Sequence, residues 1–242
     1  MTADAEGVLH RDAELVQIVD AAFADAARRS GPHLVCRPGC TQCCYGAFAI
    51  NALDALRLRH AMSELSASDP ALAAQIRERA RRYLAEFGSS FPGDPVSGIL
   101  GTSEAAQEAF AEFANEAACP ALNPETGLCE VYEARPMTCR VFGPPVRAAA
   151  GNAQDGAQDD LEGDTEGLAV CELCFTEATP KEIAAAEMLV PHEEEARLLL
   201  QLAALDEASP ARERTGETAE SCESKETIVA YCLVETPRST VS

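Results

Sequence analysis

The chain has 242 residues, with 19 Lys and Arg against 40 Asp and Glu, a formal net charge of −21. That length makes one large domain or two small ones, and it can bury a core without staples. The charge repels phosphates and argues against a broad surface for nucleic acid or anionic lipid. Aromatics at 5% and the absence of Trp leave little to stack on single strands. Lys181 and Lys225, the only lysines, sit outside any GxxxxGK[ST] loop, which excludes a P-loop nucleotide site.

Residues 11–29 carry Leu15, Ile18, Val19, Ala22, Phe23 and Ala26 at helical spacing, and Gly31-Pro32 ends that helix. Residues 36–44 hold four cysteines around the turn pair Pro38-Gly39. Tyr45 to Ile50 reads as a short extended segment. Asn51 with Asp54 makes an N-cap and acidic first turn for a helix running to about Leu65. Pro70 opens a helix to about Phe87. A Gly/Pro/Ser-rich loop follows to Gly101, and Thr102 and Ser103 cap a further helix ending near Ala118.

Residues 119–146 are irregular, with turns at Asn123-Pro124 and Gly127. Residues 148–170 hold six acids and no Lys or Arg. Such a segment cannot bury enough apolar area to offset its chain entropy, so it reads as a disordered insert. Order returns at Cys171–Cys174. A helical stretch starts at Pro180, breaks at Pro191 and resumes with Leu198, Leu202 and Leu205 on one face. Residues 207–225 read as loose, and 226–234 fit an edge strand or a short helix equally well.

Eleven cysteines are the outlier of the composition. The N-terminus lacks a basic start followed by an apolar run, and no stretch is apolar enough to span a bilayer. The expectation is a cytoplasmic chain, where thiols stay reduced and serve metals or redox chemistry rather than disulfides. Cys36, Cys40, Cys43 and Cys44 form C-x3-C-x2-C-C. In a helical turn Cys43 and Cys44 straddle Cys40, and the Pro38-Gly39 turn folds Cys36 back toward them. Adjacent helical residues diverge by about 100°. The doublet therefore serves two metals, or one of its thiols stands behind the ligands.

Cys119, Cys129 and Cys139 follow as C-x9-C-x9-C, and Cys171 and Cys174 add a C-x2-C. This exceeds what one tetrahedral site needs, so the choice is an iron–sulfur cluster with extra thiols or two metal centres. Arg135 and Arg140 flank Cys139, and a guanidinium near the sulfurs would offset thiolate charge. Tyr132 and Phe142 are candidates to pack over the sulfurs and exclude water. Cys222 and Cys232 stand alone and read as buried apolar thiols.

The segments CRPGCTQCC and CPALNPETGLCEVYEARPMTCRVFG resemble the YkgJ-like cysteine-cluster family, bacterial proteins with a zinc- or iron-chelating CxxCxxCC domain. The resemblance covers roughly residues 36–145. It rests on Cys43-Cys44, on Cys119-Pro120 with Leu122, and on Gly127-Leu128-Cys129 with Val131-Tyr132-Glu133. Arg135-Pro136 and Cys139-Arg140 with Phe142 complete it. It implies metal binding without an established reaction, and makes Cys171 and Cys174 late ligands. A similar motif in flagellin lysine methylases implies an iron–sulfur centre. The acidic insert and the C-terminal cysteines depart from the pattern.

Other signals are bland. His33 precedes Cys36 by three residues and reads as a loop histidine. His192-Glu193 is not HExxH, because position 196 is Ala. Arg77, Arg79, Arg81 and Arg82 read as a solvated basic face.

The expected fold is mainly α, a small irregular helical domain organised around a cysteine-bound metal core. Its parts are an N-terminal helix (1–31), a cysteine-cluster domain (32–146) and an acidic insert (147–170). The CxxC with a helical remainder (171–206) and a loose tail (207–242) complete the chain. The expected ligands are Cys36, Cys40, Cys43, Cys44, Cys119, Cys129, Cys139, Cys171 and Cys174, with Arg135, Arg140 and Tyr132 behind them. The expected cofactor is an iron–sulfur cluster, favoured by the doublet and the surplus of thiols, or Zn2+. The rival readings are an iron–sulfur oxidoreductase or methylase-like modifying enzyme, and a metal chaperone with a protein client. Nothing in the sequence names catalytic residues.

Overall fold

The computed structural model describes residues 3–147, 167–207 and 225–234. Its α-helices in chain order are α1 (Ala3–Ser30), α2 (Ala52–Ser68), α3 (Pro70–Phe87), α4 (Glu104–Ala111), α5 (Met137–Val141), α6 (Pro180–Ala185), α7 (His192–Glu207) and α8 (Val229–Leu233). The strands are two-residue pieces: β1 (Gly93–Asp94) pairs antiparallel with β2 (Ile99–Leu100), and β3 (Val146–Arg147) with β4 (Leu168–Ala169). The fold is mainly α, as the sequence implies. No described helix is long and apolar enough to cross a membrane.

The chain divides into two compact units: Met1–Pro38 with Met137–Ser209, and Gly39–Pro136 with Pro210–Ser242. The first is built on α1, which packs against α5, α6 and α7. Val8, Leu15, Val19 and Ala26 bury one stripe of α1, while Ile18 points outward at 53% exposure. The helix also carries Asp20, whose two carboxylate oxygens each accept from Arg140 Nη1 at 2.9 Å. Arg140 is 1% exposed, so this ion pair tethers α5 to α1 from inside. Arg29 at the end of α1 donates to the carbonyls of Ala185 and Glu187 and fixes the segment after α6. Leu168, Cys174, Phe175, Ile183 and Ala186 form a small apolar cluster.

The second unit packs α2, α3 and α8 together. Asn51 caps α2 by accepting from the Leu53 and Asp54 backbone N–H groups at 3.0 Å each. Asp69 does the same for α3 at Leu72. Leu58 and Met62 of α2, Ile76 and Ala80 of α3, and Cys232 and Leu233 of α8 share one core with Val131 and Ala134. A second cluster gathers Tyr83, Phe91, Phe113, Ile228 and Ala230.

Two expectations change here. The helix after Ser103 stops at Ala111 rather than near Ala118, because the chain turns so that Phe110 and Phe113 join the aromatic cluster, with Ala114 at φ 52°. Part of the presumed loose tail is core: Thr227 pairs with Ile50, then α8 buries Val229, Ala230, Cys232 and Leu233. Residues 226–234 are thus neither wholly strand nor wholly helix. Of the acidic insert, 148–166 lie outside the described residues, as does Cys222; its flanks Arg147 and Leu168 pair across β3 and β4.

Candidate metal centre

The second unit collects five of the nine expected ligands. Cys43 and Cys44 lie in a single 3-10 turn, Gln42–Cys44, closed by the Cys44 N–H to the Thr41 carbonyl at 2.8 Å. The next residue, Tyr45, bridges antiparallel to Ala118, and the Cys119 N–H donates to the Cys44 carbonyl at 2.8 Å. That bond sets the doublet beside the opening of the long motif, 75 residues further along the chain.

From Cys119 the backbone makes a tight hairpin. Leu122 bridges to Cys129, the Asn123 N–H donates to Leu128, and the Glu130 N–H donates to Ala121. Asn123 accepts from Glu125 and Thr126 through its side chain, a short polar turn of the type asparagine favours. Gly127 then takes φ +68°, and a Cβ there would lie 3.4 Å from Thr41 and 3.7 Å from the Gly39 carbonyl. This close approach seats the Cys40 loop against the turn that leads to Cys129. The C-x9-C spacing is therefore a hairpin length.

The sulfurs respond to one another. Cys43 accepts a hydrogen bond from the Cys44 thiol, which holds Cys43 down to about 7 and pushes Cys44 upward. Cys44 also feels the charges of Cys43, Cys119 and Cys129. Burial raises Cys119 to about 12, against hydrogen bonds to its sulfur from the Ala121 and Leu122 backbone. Burial likewise raises Cys129, whose sulfur accepts from the Val131 backbone. Backbone N–H groups aimed at sulfur are the surroundings a thiolate needs once it is deprotonated.

Charged side chains brace these turns. Arg79 of α3 donates from Nε to the Pro120 carbonyl at 2.8 Å and pairs through Nη2 with Glu130. Asn123 Nδ2 donates to the other Glu130 oxygen at 2.7 Å. One guanidinium thus ties the residue after Cys119 to the residue after Cys129. The sequence showed Arg79 only as one of four arginines on a helix; Glu130 and Asn123, far away in the chain, reveal its role. The charge of Arg135 favours the thiolate of Cys43 and opposes the burial that raises Cys129, as expected of a guanidinium near the sulfurs. Its guanidinium lies 3.8 Å over the Tyr132 ring, and Arg57 holds its carbonyl. Tyr132 is 55% exposed, so it carries Arg135 rather than sealing the thiols from water.

The first unit holds Cys36, Cys139, Cys171 and Cys174. Cys171 and Cys174 form a turn in which the Cys174 N–H donates to the Cys171 carbonyl at 2.8 Å and their side chains hydrogen-bond. Burial raises Cys174, and the backbone N–H groups of Val35 and Cys36 donate to its sulfur. Gly143, at φ +122°, lets the chain after α5 pass the Cys36 side chain: a Cβ there would be 3.4 Å from Cys36 Cβ and 3.8 Å from its Sγ. Cys139 sits in α5 beside the buried Arg140. Arg140, expected near the sulfurs, spends Nη1 on Asp20. His33 stacks on Phe175 and lies 3.8 Å from Glu182, a packed rather than solvated loop histidine. Cys232 is buried in the apolar core of the second unit.

Among the described residues no three His, Cys, Asp or Glu side chains are already drawn into an ion-holding set. The thiols lie as pairs and neighbours, and their donor chemistry fits a soft metal or an iron–sulfur cluster.

The sequence model of one family, CxxCxxCC, described as a "putative zinc- or iron-chelating domain", matches residues 35–160. That is just over half the chain, and the chain belongs to this family. The match takes in Cys36 through Cys139 and ends before Cys171 and Cys174. Neither a curated protein nor a solved structure matches the chain.

Proposed function

We propose that the protein holds an iron–sulfur cluster through the thiols of the second unit: Cys43, Cys44, Cys119 and Cys129, with Cys40 beside them. The observation that carries this reading is the Cys43–Cys44 hydrogen bond beside Cys119 and Cys129, whose charges act on the pair and whose sulfurs accept from backbone N–H groups. Iron–sulfur clusters take thiolates alone, and four thiols of one unit supply them here. Arg135 offsets the anionic charge that an all-thiolate site carries. A bound cluster would supply electron transfer or a Lewis-acidic iron, and the chain's own part is to fix the sulfurs, donate to them and neutralise them. The test is iron, zinc and labile sulfide analysis of anaerobically purified protein, with its visible spectrum. Iron and sulfide with thiolate charge-transfer bands are expected. A colourless protein carrying stoichiometric zinc and no sulfide would replace the cluster by a zinc site.

One observation favours an enzyme over a purely structural centre. An open groove of about 1010 Å³ runs beside Cys119, lined among others by Thr41, Tyr45, Arg82, Tyr83 and Phe87. A structural metal needs no such space, whereas a modifying enzyme of the flagellin-methylase kind would place its substrate there. Native mass spectrometry tests this: a small organic cofactor retained by the folded chain supports the enzyme, and a chain with metal alone supports the structural centre.

A further inference from the structure

Of the four cysteines beyond the residues the family match covers, two form a C-x2-C knuckle. Cys171 and Cys174 close a C-x2-C turn, their side chains hydrogen-bond, and Cys174 Sγ accepts from the backbone of Val35 and Cys36. Cys36 is thereby brought to the knuckle by its own backbone, and the Phe175 N–H donates to the His33 carbonyl at 3.0 Å, a second tie between the same two segments. Gly143 lies against Cys36 Sγ, and Cys139 sits four residues earlier on α5.

We propose that Cys36, Cys171, Cys174 and Cys139 form a zinc site of their own, within the first unit and separate from the thiols of the second. Closed zinc sites favour C-x2-C knuckles whose sulfurs accept from nearby backbone N–H groups, and they take four ligands tetrahedrally. The wall is apolar: Leu34, Leu168, Val170 and Phe175 belong to the cluster that contains Cys174 and Cys171. Residues 170–179 contain no helix or strand, so little except this cluster and a few turns holds them. A zinc staple supplies the missing constraint. Binding one Zn2+ to four thiols releases four protons and leaves a tetrathiolate of charge −2; no electron moves. Among the described residues no ion-holding set is already formed, so zinc would have to draw the four thiols together.

The experiment uses the full chain, expressed with both iron and zinc supplied, and counts metals by mass spectrometry for wild type, the Cys171→Ser/Cys174→Ser pair and the Cys119→Ser/Cys129→Ser pair. Circular dichroism is taken on the same samples. The knuckle variant is expected to lose one zinc per chain and keep the metal and spectrum of the second unit. The other variant is expected to keep its zinc. Undiminished zinc in the knuckle variant, or loss of all metal from both folded variants, would overturn the separate site. Zinc-edge absorption of the wild type does not depend on any variant folding. A shell of four sulfurs at about 2.3 Å is expected, and a nitrogen or oxygen neighbour, or no zinc, would overturn the ligand set. A colourless chain that keeps the knuckle zinc would end the cluster reading and leave this one standing.

Discussion

Arg79 shows how a single side chain sets the geometry of thiols it does not ligate. Its bonds to Pro120 and Glu130 are largely shielded from water, with side-chain exposures of 16% and 10% for Arg79 and Glu130. Arg79→Ala would leave the Glu130 carboxylate facing the hairpin without its cation, at a cost on the order of 3 kcal/mol. The expected result is a lower urea midpoint and weaker metal retention, measured on the same sample. Unchanged stability would mean that the hairpin holds itself. Titration of the thiols is the second property at this scale. Cys43, held to about 7 by the Cys44 thiol, favours the metal-free fold above that pH and loses this contribution as pH falls through 7. Cys119, raised to about 12 from an ordinary 9.0, works the other way. Its contribution is present below 9 and fades as pH rises toward 12, because the unfolded chain gives up its proton first. Cys129 and Cys232 add to the same direction. Metal-free protein should therefore lose stability above about pH 9 in urea titrations. It should also alkylate fastest at Cys43 near neutrality, as peptide mapping would read.

Helix ends and one short helix decide the second unit. Asn51 satisfies two N–H groups of α2, and Asn51→Ala should cost about 1 kcal/mol, read as a shift in the denaturation midpoint. The short α8 is a stronger case. Leu233 is 1% exposed in the core with Leu58, Met62 and Ile76, so Leu233→Ala should cost about 2–5 kcal/mol. Cys232→Ser puts a hydroxyl where an apolar thiol was and should cost about 1–3 kcal/mol while metal content stays unchanged. Metal loss in a Cys232→Ser variant that still folds would move that residue among the ligands. The sequence left this element ambiguous because nine residues can satisfy period two and period 3.6 at once. The structure uses both: Thr227 extends the backbone at Ile50, and the helix follows to bury Cys232 and Leu233.

At the scale of the whole chain, two units each carry their own thiols, and the boundaries between them include one inside the first motif, between Pro38 and Gly39, and one between Pro136 and Met137. The antiparallel pair Val146↔Ala169 and Arg147↔Leu168 brings the flanks of residues 148–166 together. Replacing 150–165 by a short Gly/Ser link should leave metal content and melting temperature nearly unchanged, since loop length changes closure entropy by only about 0.6 kcal/mol per doubling. Loss of metal on that deletion would show that the acidic residues serve the site. Chelating the metal should lower the melting temperature strongly, because ligand binding energy is also folding energy here.

Much of this was legible locally. The Asn51 cap, the Pro70 start, the breaks at Gly31-Pro32 and Pro191, and the turns at Asn123 and Gly127 follow from backbone sterics and nearby hydrogen bonds, which need no knowledge of the rest of the chain. The cysteine spacing and the residues around it were enough to place the chain in a chelating family. Long-range contacts decided the remainder. Which thiols share a unit depends on the Cys44–Cys119 backbone bond and on the Val35 and Cys36 donors to Cys174, pairings between segments that no periodicity encodes. The early end of α4 came from burying Phe110 and Phe113 with distant aromatics, which outweighed a run of good helix formers. Arg79 and Arg140 look alike as charges in the sequence. Burial against Glu130 in one case and Asp20 in the other makes one a brace for the thiol hairpin and the other a tether between helices, because a charge taken out of water must sit where its partner is.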